Sequence, residues 1–238
     1  MWSSARSEAA LEASLPVPIE IRPMRSARRL RLRYDEARGA LKLTCPWRTS
    51  RRLALAWALD QREWIEAQLA RAETPEPFAP GATIPLEGKE VRIFWDAAAP
   101  RTPTLEESEL RVGGPEAGLP RRIELFLKRR ALDVMSIEVA NYAASADVVA
   151  ASVSVGDAGT RWGSCSSTGR IRLSWRLILA TPNVRRYVVA HEVAHLVHLD
   201  HSAKFKELEA RLYGPGLSEA RSALRRIGPR LKRIGRRR

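Results

Sequence analysis

The chain has 238 residues, of which 45% are apolar and 29% are charged. This length fits one composite domain or two small ones, and the composition is too apolar for a wholly disordered chain. No run approaches the roughly 18 consecutive apolar residues of a membrane span, and Glu8 and Glu12 interrupt the apolar core that a secretory signal needs. We therefore expect a soluble, cytoplasmic protein that has no membrane partner.

The first half of the chain shows the patterns of short strands and one helix. Residues 1–18 read as a small, polar and flexible leader. Charged and apolar residues then alternate along residues 28–34, which is typical of a half-exposed strand. The further predicted elements are a returning strand over 40–44, a helix over 50–72, a proline-rich connection over 74–80, and a hairpin over 86–95 that turns at Gly88 and Lys89. Together they predict antiparallel β hairpins in a β-rich N-terminal region, residues 19–120, with one helix.

The second half of the chain alternates helices with strands. We predict a long helix over 123–145, strands over 151–155 and 171–175, and a third helix that Thr181 caps and Pro182 begins. The order of elements favours an α+β fold over a regular doubly wound sheet. The corresponding regions are a catalytic region over 121–215, in which the third helix packs on a small mixed sheet, and a basic C-terminal tail over 216–238.

The third predicted helix carries the motif His-Glu-x-x-His. His191 and His195 are four residues apart and therefore lie on one helix face, where their imidazoles can converge on one Zn²⁺. Glu192 is rotated by one position, beside the open coordination site, as a general base would be. The four histidines of the chain all fall within residues 191–201, and structural histidines have no reason to cluster in this way. We therefore predict a zinc site with Glu192 as its catalytic residue.

The third zinc ligand has three candidates. His201 lies ten residues after His191, which is the interval of the long zincin motif. His198 stands a full helical turn too far along the axis, and Glu219 would serve in a site of two histidines and one glutamate. We favour His201, with a turn near residues 199–200 and a new helix over 203–212.

The two cysteines carry no comparable signal. Cys45 and Cys165 lie 120 positions apart, and neither has a neighbouring cysteine or histidine at ligand spacing. We interpret them as small buried or half-buried thiols, and nothing marks a base that would make Cys165 a nucleophile.

Four blocks of the sequence form a distinctive set: RWGSCSS at 161–167, IRLSWRLILA at 171–180, HEVAH at 191–195 and HSAKF at 201–205. With these blocks the chain resembles the YgjP-like zinc metallopeptidase family, which is related to the WLM and SprT-like zincins, and the resemblance spans about residues 20–213. Ser174 stands where the family commonly has Asn. The resemblance implies a zincin-like half, a protein or peptide substrate, and an edge strand at Arg170–Trp175 that aligns an extended peptide.

The net charge of +14 is concentrated in two segments. Residues 22–52 carry eleven basic and two acidic side chains, and residues 221–238 carry nine basic side chains and no acidic one. Such segments are compatible with contact between the tail and a polyanion, such as nucleic acid or the ribosome. A solvated surface is the interpretation that we favour, because aromatic residues are not interleaved with the basic ones as single-strand binding usually requires.

Three functions are compatible with these features. The first is a zinc-dependent metallopeptidase in which Glu192 takes a proton from the attacking water. The second is a metal-dependent hydrolase of nucleotide phosphoanhydrides, although the chain has no GxxxxGK phosphate loop. The third is a nucleic-acid-binding protein with a non-catalytic metal site, against which an acid next to an open coordination position argues.

Overall fold

The computed structural model describes residues 2–35, 39–71, 75–157 and 161–236. The chain divides into two compact units, unit 1 (Met1–Pro75) and unit 2 (Glu76–Arg237). The boundary therefore lies inside the predicted N-terminal region 19–120, and it coincides with the proline-rich connection, of which residue 74 lies outside the described residues. The predicted mixture of helices and small sheets is confirmed. Along the described residues, no helix is both long and apolar enough to cross a membrane.

Unit 1 packs helices on a three-stranded sheet. Its elements are α1 (Trp2–Ala13), β1 (Ile19–Met24), β2 (Arg31–Asp35), β3 (Ala40–Pro46), α2 (Arg51–Asp60) and α3 (Arg62–Arg71). The central strand β3 pairs antiparallel with β2, as predicted, and parallel with β1. Alternate residues of β3 are fully buried, among them Leu41 and Leu43, and they share the core with Leu55 and Ile65 of the two helices.

Two expectations for unit 1 were wrong. Residues 1–18 are not a flexible leader throughout, because they include α1 and the buried Leu15. The single predicted helix over 50–72 is two helices, α2 and α3. The backbone N–H of Gln61 bonds the carbonyls of Ala58 and Leu59, so the last turn of α2 tightens and the chain changes direction. Residue 72 lies outside the described residues.

Unit 2 contains two sheets and four α-helices in its described residues. Its elements are β4 (Thr83–Leu86), β5 (Lys89–Asp96), β6 (Thr104–Glu106), β7 (Glu109–Gly113), α4 (Leu119–Ser145), β8 (Ser152–Gly156), β9 (Gly163–Cys165), β10 (Arg170–Ser174), α5 (Pro182–Val197), α6 (Ala203–Tyr213) and α7 (Leu217–Arg233). The strand orders are β4-β5-β7-β6 and β8-β10-β9. The predicted hairpin at Gly88 is the β4–β5 turn, in which Glu87 and Gly88 both have positive φ, as a tight hairpin turn requires.

Helices α4 and α5 and the strand β10 form the centre of the unit 2 core. Leu127 and Met135 of α4, Val189 and Val193 of α5, and Leu173 of β10 are all buried in one apolar cluster. The fourth strand of the larger sheet, β6, was not predicted. Its three residues are too short to show a period of two in the sequence.

The C-terminal segment 216–238 is not a separate tail. Within it, α7 continues through Gly228 and Pro229, although these two residues are typical of an interruption, and it buries Leu224 and Leu231 in the unit 2 core. The guanidinium of Arg176, only 3% exposed, donates hydrogen bonds to the carbonyls of Leu231 and Ile234. The apolar residues of this segment, spaced by three and four, therefore form the face by which the helix joins unit 2.

Candidate metal centre

Helix α5 is fixed in unit 2 before it reaches the histidines. Thr181 occupies the N-cap position and Pro182 the first turn, as predicted, although the Thr181 side chain makes no capping hydrogen bond. Near that end the buried Arg185 donates three hydrogen bonds of 2.8–3.1 Å to the carboxylate of Glu138 on α4. A buried charge requires such a partner, and this pair sets the position of α5 along α4. His191, Glu192 and His195 follow on the third and fourth turns.

The structure brings together the three histidines that the sequence singled out. One ring nitrogen from each of His191, His195 and His201 lies within 4.8 Å of the others. The Nε2 atoms of His191 and His201 are 3.4 Å apart, which is about the separation of two tetrahedral ligands that bind one zinc ion at about 2.0–2.1 Å. The ring nitrogens of the other two histidine pairs are up to 4.8 Å apart, so they would have to approach each other by up to about 1.4 Å to reach that geometry.

His201 reaches the other two because the chain turns immediately after α5. His198 is extended and ends the helix, and its backbone N–H still bonds the carbonyl of Ala194. The carboxylate of Asp200 accepts a hydrogen bond from the backbone N–H of Ser202, whose hydroxyl caps α6. The turn therefore falls at Leu199 and Asp200, where we expected it, although the long motif has glycine at the position of His198.

Two hydrogen bonds determine which ring nitrogens remain available. Nδ1 of His191 lies 2.8 Å from Oε1 of Glu209, and Nδ1 of His195 lies 2.9 Å from the carbonyl oxygen of His198. A carboxylate and a carbonyl accept hydrogen bonds, so each Nδ1 carries the proton and each Nε2 keeps its lone pair. Lone pairs converging on one point fit a shared cation, so the residues present are suited to a bound metal ion.

The other candidates for a third ligand lie outside this group. Among the described residues the only cluster of metal-binding side chains near α5 consists of His191, His195 and His201. Glu219 stands in the first turn of α7, where its carboxylate accepts a hydrogen bond from the Ser218 hydroxyl.

Glu192 lies beside the histidines and is 5% exposed. Burial raises the pKa of its carboxyl to about 7, and the charges of His191 and Arg161 oppose this rise. Gly163 of β9 leaves the room that the carboxylate occupies, since a Cβ at that position would come within 2.6 Å of Glu192 Cγ. The site therefore combines three converging imidazoles with one buried carboxylate.

Comparison with known protein families identifies the family of the chain. The model of the YgjP-like, metallopeptidase domain family matches residues 28–227. The chain belongs to the YgjP-like family. The chain therefore contains a metallopeptidase domain, and this places it among the hydrolases that use a metal ion. No curated protein and no solved structure matches the chain significantly.

Glu209 is the residue of this YgjP-like site that sequence reasoning missed. It is 1% exposed on α6 and bonds His191 through one carboxylate oxygen and Arg221 of α7 through the other, each at 2.8 Å. Burial alone would raise its pKa, but the hydrogen bond and charge of His191 and the charge of Arg221 lower it. A signal existed, because Phe205, Leu208 and Leu212 place Glu209 on the apolar face of an amphipathic helix.

The edge strand of this YgjP-like protein is not the one that we expected. β10, which corresponds to the predicted strand at Arg170–Trp175, lies in the centre of its sheet and pairs with β8 on one side and β9 on the other. The free edge next to Glu192 belongs to β9. A three-residue strand inside a glycine-rich stretch has no clear pattern, so the sequence did not reveal it.

Cys165 lies on the same strand, half-buried, and Cys45 is buried in unit 1. Burial raises the pKa of the Cys165 thiol, and the charge of Glu192 raises it further. Both effects disfavour the thiolate, which is the nucleophilic form.

Proposed function

We propose that the protein is a zinc-dependent metallopeptidase in which His191, His195 and His201 bind the metal and Glu192 is the general base. The observation that carries this proposal is the position of Glu192, a buried carboxylate beside three imidazoles whose free nitrogens converge. A purely structural metal site would gain nothing from such an acid. Membership of a metallopeptidase family supports the same reaction class.

The donor set favours zinc over other divalent ions. Neutral imidazoles suit zinc better than they suit magnesium or calcium, which prefer oxygen ligands, and three protein ligands leave a fourth position open, as in catalytic zinc sites. When bound, zinc supplies Lewis-acid chemistry, polarising a carbonyl group and acidifying water.

The chain's own residues supply proton transfer and orientation. The Glu192 carboxylate accepts the proton of the attacking water and later delivers it to the leaving amine. Glu209 and the His198 carbonyl hold the rings of His191 and His195 so that each Nε2 faces the metal position. Because Glu192 is closed in by Gly163 of β9, this reaction takes place at the edge of the smaller sheet.

An extended peptide can be aligned by the free edge of β9. The N–H of Ser174 bonds the carbonyl of Trp162, and the N–H of Ser166 bonds the carbonyl of Arg170. In an antiparallel pair such bonds alternate along the strand, so the backbone groups of Gly163 and Cys165 point away from β10. A substrate strand that pairs with them passes directly beside Glu192.

Hydrolysis of casein and of nucleoside triphosphates, with and without a chelator, separates the peptidase from the nucleotide hydrolase. We expect chelator-sensitive cleavage of casein only. Glu192→Gln should retain the metal and lose about 10²–10⁴-fold in turnover, because an amide cannot take the proton. Glu207→Gln, an exposed carboxylate on α6, is the matched control. A Glu192→Gln enzyme with a tenth of wild-type turnover would exclude Glu192 as the base.

Metal content tests the ligand set directly. We expect one zinc per chain in the wild type and almost none in His191→Ala or His195→Ala. His201→Ala should lose most of the zinc, whereas His198→Ala should keep it. The opposite result for the last two variants would make His198 the third ligand.

We propose nucleic-acid binding as a second function, because of an observation in unit 1. Trp47, 54% exposed, has two arginines near its ring, with the Arg48 guanidinium 4.9 Å and the Arg25 guanidinium 5.8 Å from the ring centre. β1 and β3 are parallel and end in register, so the loops that carry these residues lie side by side. An exposed ring among arginines suits stacking with a base and contact with phosphates. The fold thus places an aromatic side chain next to basic ones, although the two kinds of residue do not alternate in the sequence.

Gel-shift titrations with single-stranded RNA and DNA at three salt concentrations test this binding. Trp47→Ala should weaken affinity about 5- to 100-fold, whereas Trp64→Ala, which removes an exposed tryptophan of α3, should not. The double variant Arg225→Ser/Arg226→Ser tests the tail contact with which the sequence is compatible, since both arginines are exposed on α7. Equal affinity and equal salt dependence for all four proteins would exclude both surfaces.

A further inference from the structure

A cavity of about 230 Å³ lies beside the candidate metal centre, on the sheet formed by β8, β10 and β9. The side chains that could contact a ligand there are Arg161, Trp162, Ser164, Arg172 and Ser174, and the floor includes Gly156. Two cationic and two hydroxyl groups line this space without any acidic side chain.

The register of the strands shows which face of the sheet the cavity occupies. Gly163 pairs with Leu173, which is buried in the core, and Gly163 also closes on Glu192. Ser164 pairs with Arg172. Because successive side chains point to opposite faces, Ser164 and Arg172 lie on the face turned away from Glu192. The cavity is therefore separated from the catalytic carboxylate by the thickness of β9.

Arg161 connects the two sides. It lines the cavity and stands two residues before Gly163, the residue of β9 that closes on Glu192. A peptide strand paired with β9 would send alternate side chains to the cavity face. One of them would therefore enter the space between Arg161 and Arg172.

Neither arginine of the cavity forms an ion pair with a carboxylate within 4.0 Å among the described residues. Several arginines of unit 2 do form such pairs, for example Arg176 with Asp157 and Arg185 with Glu138, whereas exposed ones such as Arg170 do not. The neighbouring residues 158–160, outside the described part, are Ala, Gly and Thr and contain no acid.

Gly156 makes room for the Arg172 guanidinium. A Cβ on Gly156 would stand 2.5 Å from both Nε and Nη2 of Arg172 and 2.9 Å from Cζ, so the Nε–Nη2 edge of the guanidinium is turned toward Gly156 of β8. The other edge, formed by Nη1 and Nη2, presents two parallel N–H groups in the geometry that matches a carboxylate.

We propose that this cavity is a subsite for a carboxylate of the substrate, held by Arg172 and Arg161 with the hydroxyl of Ser164. The inference rests on the proposed peptidase function and names its specificity. The carboxylate can come from an acidic side chain or from the C-terminus of the peptide, since both offer the same pair of oxygens.

Peptide binding and peptide hydrolysis together test the subsite. For binding, fluorescently labelled peptides are titrated into zinc-loaded Glu192→Gln protein, in which hydrolysis is blocked. In the first set, each peptide has one Asp or Glu, placed at a different position in each peptide, and an amidated C-terminus. In the second set, the peptides have neutral side chains and either a free or an amidated C-terminus. We expect a preference of about 10- to 100-fold for the carboxylate in one of the two sets, which identifies its source.

Charge reversal supplies the decisive variant. Arg172→Glu should reverse the preference, so that peptides with Lys at the responsive position bind better than those with Asp. Arg172→Lys should restore part of the acidic preference. Arg170→Ala is the matched control, because Arg170 is an exposed arginine on the same strand and face that does not line the cavity, and the preference should survive in it.

The outcomes separate the two proposals. Equal binding of acidic and neutral peptides, or an acidic preference that survives Arg172→Glu, would overturn the subsite. If the wild-type enzyme cleaves peptides without such a preference, the peptidase stands and the subsite is excluded. If acidic peptides bind through Arg172 and are never cleaved, the subsite stands and the peptidase is excluded.

Discussion

The two units of the chain differ in how many polar and charged side chains they bury. Of the buried polar residues in the described chain, unit 1 contributes Asp35 alone, and unit 2 contributes Glu138, Ser174, Arg176, Arg185, Glu192 and Glu209. In unit 1 the charged groups lie mostly on strand faces and at exposed helix positions. In unit 2 five charged side chains are buried next to the apolar core, and the others lie at partly or fully exposed positions.

The free-energy cost of burying charged groups therefore falls mainly on unit 2. A buried ion without a partner would cost several kcal/mol, so unit 2 pairs nearly every one: Glu138 with Arg185, Asp157 with Arg176, and Glu209 with His191 and Arg221. Glu192 is the exception, because its negative charge has no such direct ion pair in the described residues. The proposed catalytic role of Glu192 rests on this feature, a buried carboxylate without an ion-pair partner beside three histidines.

Removal of α7 should have the largest effect on unit 2. Truncation after Gly216 removes the buried Leu224, Leu231 and Ile234, which together contribute about 4–9 kcal/mol, and exposes Arg176. This approaches the whole stability of a typical domain, so we expect an insoluble protein or one without a cooperative thermal transition. Circular dichroism melting measures this. The full-length Arg225→Ser/Arg226→Ser variant should melt within a few degrees of wild type, and a truncated protein that does the same would show that α7 is dispensable.

Substitution of Glu209, the hydrogen-bond partner of His191, should have the next largest effect. Glu209→Gln keeps the shape but weakens the hydrogen bond that orients the imidazole, so zinc affinity should fall about 10- to 100-fold. Competition with a coloured chelator measures the affinity, and the exposed Glu207→Gln on the same helix is the control. Unchanged affinity in Glu209→Gln would restrict this residue to packing.

The Arg176–Asp157 pair should give a smaller effect that depends on pH. Burial alone would raise the pKa of Asp157, but the hydrogen bond and charge of Arg176 and the charge of Arg236 lower it. A lowered pKa means stability that is present above the unfolded pKa of about 3.9 and is lost as pH falls through the folded value.

Asp157→Asn should therefore destabilise the protein by about 1–3 kcal/mol at pH 7, and the difference should shrink as pH falls below about 4. Urea unfolding at several pH values measures both. Asp147→Asn provides the baseline, since it removes an exposed carboxylate at a positive-φ position that Asn also tolerates. A constant difference across this pH range would exclude the ionised pair as the cause.

The smallest effect should come from unit 1. Arg51 forms a 2.6 Å ion pair with Glu12, but both side chains are well exposed. Arg51→Ala should therefore change the free energy of unfolding by less than about 1 kcal/mol. Arg52→Ala, at the exposed neighbouring position, is the control. A loss above 2 kcal/mol in Arg51→Ala alone would show that exposed charge in unit 1 matters as much as buried charge in unit 2.

Local patterns in the sequence determined much of the site. The spacing of His191 and His195 fixes their common helix face, and the clustering of all four histidines by itself indicates a metal ion. The strands at Gly88 and the helices α4 to α6 also follow from periodicity and from helix-start residues such as Pro182, because the hydrogen bonds that define them join residues close in sequence.

Long-range packing decided the rest. The sequence could not show that β9 rather than β10 holds the free edge, because strand order depends on which distant segments pair. It could not reveal that Glu209 orients His191 across 18 residues, nor that the apolar positions of the basic C-terminal segment face the unit 2 core. In each case the free energy that stabilises the arrangement comes from burial and from contacts between distant segments, which no local pattern specifies. The residue types at the metal centre can thus be identified from the sequence, whereas their orientation and their neighbours depend on the tertiary structure.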